Sequence, residues 1–316
     1  MTYKLELVIC THNPRLDYLS RTLSALQTQD LPLNQWQLTI IDNASNDPLL
    51  NRIDLSWHPN SRVIQEDRLG LTNARLRAVA ECRSDLIVWS DDDNLLDPNY
   101  LSFSLKFMQE HATVGIAGGK SIPEYEKPPS DWYQPGLAPL GCRDLGEELF
   151  LIPACDHPQT YPAASPIGAG MVSRPAALQK WIELVKHDSR RRALGRTGQA
   201  LTSGEDNDMN LTALRNGWDL AYVPQLTLTH LISPGRLTVD YQKRIARASF
   251  RDFVTVLDLH AIRPWPAIPK WSIFPRSCKA WFTTRAWQGP ANAIRWHGIQ
   301  GQHEGRATLS KIEGNV

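Results

Sequence analysis

The sequence predicts an α/β protein with an open, mostly parallel, doubly wound sheet, and three observations support that fold class. The run Leu86–Trp89 is apolar without alternation, which is typical of a strand covered on both faces. Strand-like and helix-like patterns alternate through residues 5–110. Several of the strand-like runs end on polar or acidic residues, as in sheets that bind ligands at the carboxyl ends of their strands.

The first part of the chain provides the elements of this sheet in order. Four strands are predicted, at Leu5–Cys10, Gln37–Asn43, Arg62–Gln65 and Leu86–Trp89. Helices are predicted where leucines recur at helical spacing after Pro14, from Asp47 and Pro48 onward, and from Gly70 to Ala78. Since parallel strands end at one edge of a sheet, we expect the loops of Thr11, Asp42, Asp67 and Asp91 to share that edge.

The second part of the chain is less regular. A fifth strand is predicted at Val114–Ile122, followed by a long functional loop over Pro123–Ala164 that is rich in Pro, Gly and Tyr. The remaining predictions are helices at Pro175–Val185, Met209–Arg215 and Leu237–Leu259, a loop at Asp188–Ser203, and a strand at Leu220–Thr229 that ends at His230.

Three consecutive carboxylates, Asp91, Asp92 and Asp93, follow the buried strand directly. Like charges this close repel each other, so a divalent metal or a set of hydrogen-bond donors is expected among them. An EF-hand loop is excluded because it needs an oxygen ligand at position 95 and a glycine at position 96, where Leu95 and Leu96 stand. A haloacid-dehalogenase-type phosphatase is disfavoured because its motif has Thr or Val at the position of Leu95. A solvated turn remains the alternative to a metal or diphosphate site.

Composition restricts the class of protein further. With 316 residues and 42% hydrophobic content, the chain can form one main globular domain with appendages. Its five scattered cysteines form no C-x-x-C pair, which favours a reducing compartment without a zinc site. No uncharged apolar run reaches the roughly 18 residues of a spanning helix, so we expect a cytoplasmic protein.

The C-terminal segment has a distinct composition. Residues 261–316 contain five of the eleven tryptophans, eight Lys or Arg and two Glu, which gives this segment a net charge of +6. Aromatic and basic residues together suit an anionic membrane interface on the inner face of the cell membrane. The alternative is a tail that packs on the catalytic domain or on a second subunit. No nucleic-acid-binding module is recognisable, so nucleic acid is not an expected partner.

Taken together, these motifs resemble the family 2 glycosyltransferases, which have the GT-A fold, a Rossmann-like αβα sandwich that binds nucleotide-diphospho-sugars. The similarity covers roughly residues 4–232. It implies that the nucleotide base lies by Thr11, Asn13 and Asp42, and that Arg75 lies near the diphosphate or holds an aspartate. Asp91 is expected near the ribose or the donor sugar, and Asn73 and Asp92 are expected to contact the donor as well. It further implies that Asp93, together with Asp91, binds Mn²⁺ or Mg²⁺.

The resemblance also assigns residues in the second half of the chain. Glu205 and Asp206 match the family's acidic pair at a helix start, in which the second residue usually acts as the base; acidic residues that merely stabilise a helix N-terminus are the alternative. His230 is a third metal ligand or a hydrogen-bonded core histidine. Gly168 and Gly170 resemble the donor-sugar loop, or are turn glycines.

These assignments predict a metal-dependent inverting glycosyltransferase that moves one sugar from a nucleotide-diphospho-sugar, expected to be a UDP-sugar. The acceptor is a glycan or lipid-linked molecule of polysaccharide or cell-surface glycan biosynthesis. The Gln-x-x-Arg-Trp motif of processive synthases is not matched around Trp218, which favours single transfer. The catalytic domain is expected over 1–235 and a helical, basic extension over 236–316. A non-catalytic nucleotide-sugar-binding scaffold and a sugar nucleotidyltransferase are the alternatives.

Overall fold

The structure is a computed structural model that describes residues 3–198 and 200–309. The chain divides into two compact units, and neither is one continuous stretch. The first unit consists of Met1–Glu124, Gly141–Asp188 and Asp208–Leu231, and the second of Tyr125–Leu140, Ser189–Asn207 and Ile232–Val316. A catalytic domain over 1–235 with a separate extension over 236–316 stays a prediction.

The central sheet has nine strands among the described residues, and eight of them follow the order β3-β2-β1-β4-β8-β6-β9-β5, while β7 pairs with β9. The strands are β1 (Leu5–Thr11), β2 (Trp36–Asn43), β3 (Ser61–Glu66), β4 (Leu86–Ser90), β5 (Asn94–Leu96), β6 (Val114–Tyr125), β7 (Phe150–Ile152), β8 (Val172–Ser173) and β9 (Asp219–Ile232). The predicted fold class is confirmed.

Strands β1 to β4 form the parallel part of the sheet. Thr11 pairs with Asp42, Asn43 pairs with Glu66, and Ile9 pairs with Ser90, the residue before Asp91. The carboxyl ends of these strands therefore lie side by side, as predicted. All five residues of β4 are buried, which agrees with its lack of alternation. Short antiparallel strands, which the sequence pattern did not reveal, extend the sheet beyond β4.

The helices that lie wholly in the first unit are α1 (Leu16–Gln27), α2 (Leu71–Glu81), α3 (Tyr100–Glu110) and α4 (Pro175–His187), and the short α5 (Ser189–Arg192) of the second unit follows. Apolar side chains of α1 and α3 form one core cluster with those of the sheet. The prediction of a helix from Asp47 and Pro48 is wrong, because only one 3-10 turn forms, at Leu49–Asn51. There the Asp42 side chain accepts the Leu49 N–H, and Leu49 is buried while Leu50 is exposed.

Two further sequence predictions need correction. Strand β9 does not end at His230 but continues to Ile232, so His230 lies within the strand. The segment Pro123–Ala164 is not wholly irregular, because β7 pairs with β9 and Ser121 forms a bridge with Arg143. Helix α6 (Glu205–Arg215) begins four residues before the predicted Met209, and its first residues are acidic.

The second unit is mainly helical. It contains α7 (Val239–Leu259), α8 (Ile273–Thr284) and α9 (Pro290–Arg306), and the Thr238 hydroxyl caps α7 by accepting the Tyr241 N–H. Helix α9 packs closely on α7, since a Cβ atom at Gly301 would lie 2.0 Å from the Arg247 carbonyl oxygen. Among the described residues, none of the helices combines the length and apolar content of a membrane-spanning segment.

Candidate active site

The loop after β1 is bound to the aspartate cluster that follows β4. The Thr11 hydroxyl donates to the Asp92 carboxylate, and the Thr22 hydroxyl of α1 donates to the Asp92 carbonyl at 3.1 Å. Thr11 and Asp92, both expected to contact the donor, are thus in direct contact with each other. This contact joins the adjacent ends of β1 and β4.

Asn13 connects the loop after β1 with the loop after β2. Its backbone is left-handed (φ 48°), its N–H donates to the Ser45 hydroxyl at 2.9 Å, and its side-chain oxygen accepts the Asn46 N–H at 2.8 Å. His12 adds a bond from Nδ1 to the Asn43 carbonyl at 2.8 Å. The two loops beside Asp42 are therefore held in a fixed relative position.

Asp42 is a buried carboxylate with one oxygen that has no hydrogen-bond donor among the described residues. Oδ2 accepts the Leu49 N–H at 2.9 Å. Oδ1 is also buried and accepts no hydrogen bond from any described residue. An acceptor left in this state costs free energy, roughly 1–3 kcal/mol, unless a ligand or water donates to it. The group that this oxygen lacks is therefore an N–H or O–H donor.

Asn43 is a site-forming residue that the sequence analysis did not single out. Its side-chain oxygen accepts the Gly70 N–H at 2.8 Å, and its amide donates to the carbonyls of Glu66 and Arg68 at 3.1 and 2.8 Å. Arg68 donates in turn to Glu66, and this hydrogen bond holds the pKa of the buried Glu66 carboxyl below its usual range. Asn43 thus fixes the loop between β3 and α2.

The two α2 residues expected to bind the donor, Asn73 and Arg75, have protein contacts. Asn73 donates from its side-chain nitrogen to the Leu69 carbonyl at 3.1 Å, within the start of the helix. Arg75 is buried, its guanidinium lies 5.6 Å from the centre of the Trp89 ring, and Nη1 lies 3.9 Å from the Met209 sulfur. Packing on β4 and α6 therefore orients the Arg75 charge.

Asn94 organises the aspartate cluster. Its side-chain oxygen accepts the Asp91 N–H at 3.1 Å, and its side-chain nitrogen donates to Asp93 Oδ1 at 3.1 Å. Asn94 is 0% exposed and pairs with His230 across β5 and β9. In the sequence Asn94 resembles an ordinary turn residue, yet in the structure it holds the Asp93 carboxylate in place.

Asp93 and His230 face each other in the first unit. Asp93 Oδ2 lies 3.3 Å from His230 Nε2, and the other ring nitrogen, Nδ1, lies 3.2 Å from the Gly141 carbonyl oxygen. Both ring nitrogens therefore face acceptors. A neutral His230 ring that donates from Nδ1 directs the lone pair of Nε2 at the Asp93 carboxylate. A proton or a cation between Nε2 and the carboxylate would stabilise this arrangement.

The described residues contain no group of three or more His, Cys, Asp or Glu side chains placed to hold a metal ion. Asp93 and His230 nevertheless fit such an ion, because one carboxylate oxygen and one imidazole nitrogen converge. Mg²⁺ usually binds through one or two carboxylates, with substrate phosphate oxygens and water completing the shell.

The residues of the expected donor-sugar loop contact the protein itself. Gly170 has a left-handed backbone (φ 71°), its carbonyl accepts the Tyr100 hydroxyl, and a Cβ atom there would lie 2.4 Å from Leu228 Cδ2. Gly168 accepts the Met171 N–H at 3.5 Å. Close packing thus gives a structural reason for Gly170, while a role for either glycine in donor binding stays a prediction.

Glu205 and Asp206 lie in the first turn of α6 and belong to the second unit. Glu205 is buried and Asp206 is half-buried, with its Oδ1 accepting the Asn207 N–H at 2.9 Å. The preceding segment is fixed on α7, because Ser203 N–H donates to Asp252 Oδ2 at 3.2 Å. Burial raises the pKa of this Asp252 carboxyl.

Comparison with known proteins identifies the class. The family model for glycosyl transferase family 2 matches residues 6–174, more than half of the chain. The chain therefore belongs to glycosyl transferase family 2. It is a glycosyltransferase with the GT-A fold, which confirms the predicted family, fold and enzyme class. No curated protein matches the sequence.

Solved structures of TarS from S. aureus share the fold. TarS 1–349 in complex with UDP-GlcNAc matches with a TM-score of 0.54 at 17% identity, over 82% of this chain and 65% of that one. TarS 1–349 alone gives 0.51 at 14% identity, over 96% and 89% of the two chains. The structure of TarS gives 0.51 at 15% identity, and this chain spans 54% of its length.

Proposed function

We propose that this chain is an inverting, metal-dependent transferase that moves one sugar from a UDP-sugar to a glycan or a lipid-linked acceptor of cell-surface glycan biosynthesis. The main support is the convergence of Asp93 and His230 at the sheet edge where Thr11 and Asp42 also lie. TarS, which shares the fold, was solved in complex with UDP-GlcNAc and with UDP.

Asp42 supports a uracil base. A carboxylate oxygen that lacks a donor within the described protein matches the imino N–H of uracil, whereas cytosine has no N–H at that ring position. Asn13 contributes by holding the loops on either side of Asp42. Nucleobase selection in this proposal therefore depends on one buried acceptor.

Asp93 and His230 would hold Mn²⁺ or Mg²⁺, with Asp91 closer to the ribose or the donor sugar. When bound, such a cation supplies positive charge that stabilises the leaving diphosphate. Asn94 holds the Asp93 carboxylate, and the Gly141 carbonyl orients the His230 ring. Arg75, oriented by Trp89, adds a second positive charge for the diphosphate.

Asp206 is the proposed general base. The acceptor hydroxyl must lose a proton as its oxygen attacks the anomeric carbon, and a carboxylate is a suitable base for that proton. Asp206 is half-buried. In-line attack opposite the leaving diphosphate inverts the anomeric configuration. The neighbouring Glu205 and Asp208 are both buried, which leaves Asp206 the most accessible of the three carboxylates.

Release of free nucleotide tests the proposed function. We expect the protein with Mn²⁺ to release UDP from at least one UDP-sugar in the presence of a glycan and lipid extract, and to transfer the sugar with inversion. Excess chelator should abolish the release, and CDP-sugars serve as the matched control because cytosine has no N–H at the ring position of the uracil imino group. Turnover of CDP-sugars alone would contradict the assignment of Asp42, and turnover of no nucleotide-sugar would contradict the proposed function.

A further inference from the structure

Helix α8 and the short turns at its ends expose an unusual amount of aromatic surface. Trp271 and Phe274 are each 77% exposed, Phe282 is 67% exposed and Trp287 is 54% exposed. Isolated exposed apolar residues are common, but several large ones within 17 residues of chain form a patch that indicates a binding surface. We refer to these four residues as the aromatic face.

The aromatic face arises because α8 and the turn before it expose large aromatic side chains and bury small ones. Trp271, Phe274, Cys278 and Phe282 follow each other at intervals of three or four residues and are all exposed. The opposite side buries the small residues Ser272, Ser277 and Ala280. A helix that only completed a protein core would instead bury its aromatic residues.

Contacts with α9 fix this orientation of α8. The Ser277 carbonyl accepts the Trp296 indole N–H at 2.9 Å, and the Trp281 ring meets the Trp296 ring edge-on at 4.8 Å between centroids. The small Ser277 and Ala280 side chains are buried on the same side of α8. The aromatic residues are therefore directed away from an anchored helix, so their exposure does not come from a detached segment.

The charged residues of α8 and of the turns at its ends are all basic. Lys270, Arg276, Lys279 and Arg285 are exposed beside the aromatic face, and none of the four forms an ion pair with a carboxylate of the described chain. Residues 261–303 contain no Asp or Glu. A surface that combines exposed Trp and Phe with unopposed positive charge complements a surface that is apolar inside and anionic at its boundary.

We propose that the aromatic face docks on the surface of an anionic lipid bilayer, with Trp271, Phe274, Phe282 and Trp287 entering the headgroup region. The four basic residues would contact lipid phosphates. A second copy of the chain is a poorer occupant, because a two-fold contact through this surface would bring two sets of cations together. The proposal is independent of the sugar-transfer chemistry and concerns where the enzyme acts.

An environment-sensitive dye on Cys278 tests the contact, because this exposed cysteine lies between Phe274 and Phe282. A nitrobenzoxadiazole label at Cys278 in a Cys155→Ala variant should shift its emission to the blue when vesicles of phosphatidylglycerol and phosphatidylcholine are added. The same label on the exposed Cys155 in a Cys278→Ala variant should not shift. A shift that depends on protein concentration without vesicles would overturn the proposal in favour of a second copy.

Vesicle partitioning of variants provides the second readout. Trp271→Ala with Phe274→Ala should weaken binding to anionic vesicles roughly tenfold or more, through lost apolar contact. Lys279→Glu with Arg285→Glu should have a similar effect, at least about tenfold, and should leave weak binding to neutral vesicles unchanged. Leu50→Ala, at a residue 67% exposed in the first unit, is the matched control and should change nothing. Equal binding of wild type and variants, or equal binding to neutral and anionic vesicles, would overturn the proposal.

Discussion

Replacing Asp93 by Asn is expected to weaken metal-dependent nucleotide binding strongly while the protein stays folded. An amide is a weaker ligand for a hard cation than a carboxylate, and the change also leaves His230 Nε2, 3.3 Å away, without its charged neighbour. We expect the affinity for UDP in the presence of Mn²⁺ to fall by about 100-fold or more, because loss of a residue that only orients a metal ligand already costs about 10- to 100-fold. Isothermal titration calorimetry with and without Mn²⁺ measures the effect.

Asp97→Asn is the matched control for this substitution. It makes the same chemical change four residues further along the chain, at a half-buried carboxyl whose pKa is raised by burial. We expect normal UDP affinity from this control. If Asp93→Asn binds UDP as tightly as wild type and with the same dependence on Mn²⁺, Asp93 is not a ligand and the proposed metal site is wrong.

The second large effect is expected for Asp206→Asn. Loss of a general base should reduce turnover by ~10²-fold or more, and the affinity for the donor should stay near that of wild type. The Asn207 N–H can still donate to the amide oxygen, so the start of α6 should keep its structure. Steady-state turnover and donor affinity, measured on the same preparation, separate the two contributions.

Asp240→Asn controls for the alternative in which Asp206 only stabilises a helix N-terminus. Asp240 lies in the first turn of α7 and is exposed, so its replacement removes the same favourable interaction with a helix dipole. This costs about 0.3–1 kcal/mol of stability in either helix. If the two variants lose similar stability and neither loses turnover, the base must be another residue, with Glu205 and Asp208 the next candidates.

Local sequence patterns were sufficient for the parallel part of the sheet and for its ligand-binding edge. The unbroken apolar run of β4 predicted a strand buried on both faces, and the residues that follow each strand predicted which loops would meet. Helix α7 was also evident, because its apolar residues keep one period over 21 positions. These features depend on residues that are close together in the chain, so a local sequence pattern is enough to predict them.

Features that depend on distant residues were not predictable. The Gly141 carbonyl lies 89 residues before the His230 ring that it orients, and no local pattern connects them. In the sequence Asn94 is typical of a turn. It is buried in the structure because β5 pairs with β9. The segment after Asp42 has the composition of a helix start, but the bond from the Leu49 N–H to the Asp42 carboxylate accompanies a single 3-10 turn.

Composition indicated the chemistry of the C-terminal segment but not its arrangement. Tryptophans among basic residues were compatible with a membrane interface and with simple packing. The structure divides these tryptophans into a packed pair and an exposed pair. Trp296 donates to Ser277 and contacts Trp281, whereas Trp271 and Trp287 are exposed. Which face of a helix is exposed depends on the helix against which it packs, and composition does not reveal that packing.

The central claim is that this fold binds a UDP-sugar through a metal ion held by Asp93 and His230. The most direct test is thermal unfolding of the wild-type protein with a panel of nucleotide-sugars, each with Mn²⁺ and with chelator. A ligand at about 100 times its dissociation constant stabilises the folded state by about 2.7 kcal/mol, which raises the melting temperature by a few degrees. We predict this rise for a UDP-sugar with Mn²⁺ and its loss with chelator. An equal rise under both conditions, or a rise with GDP-sugars only, would contradict the claim.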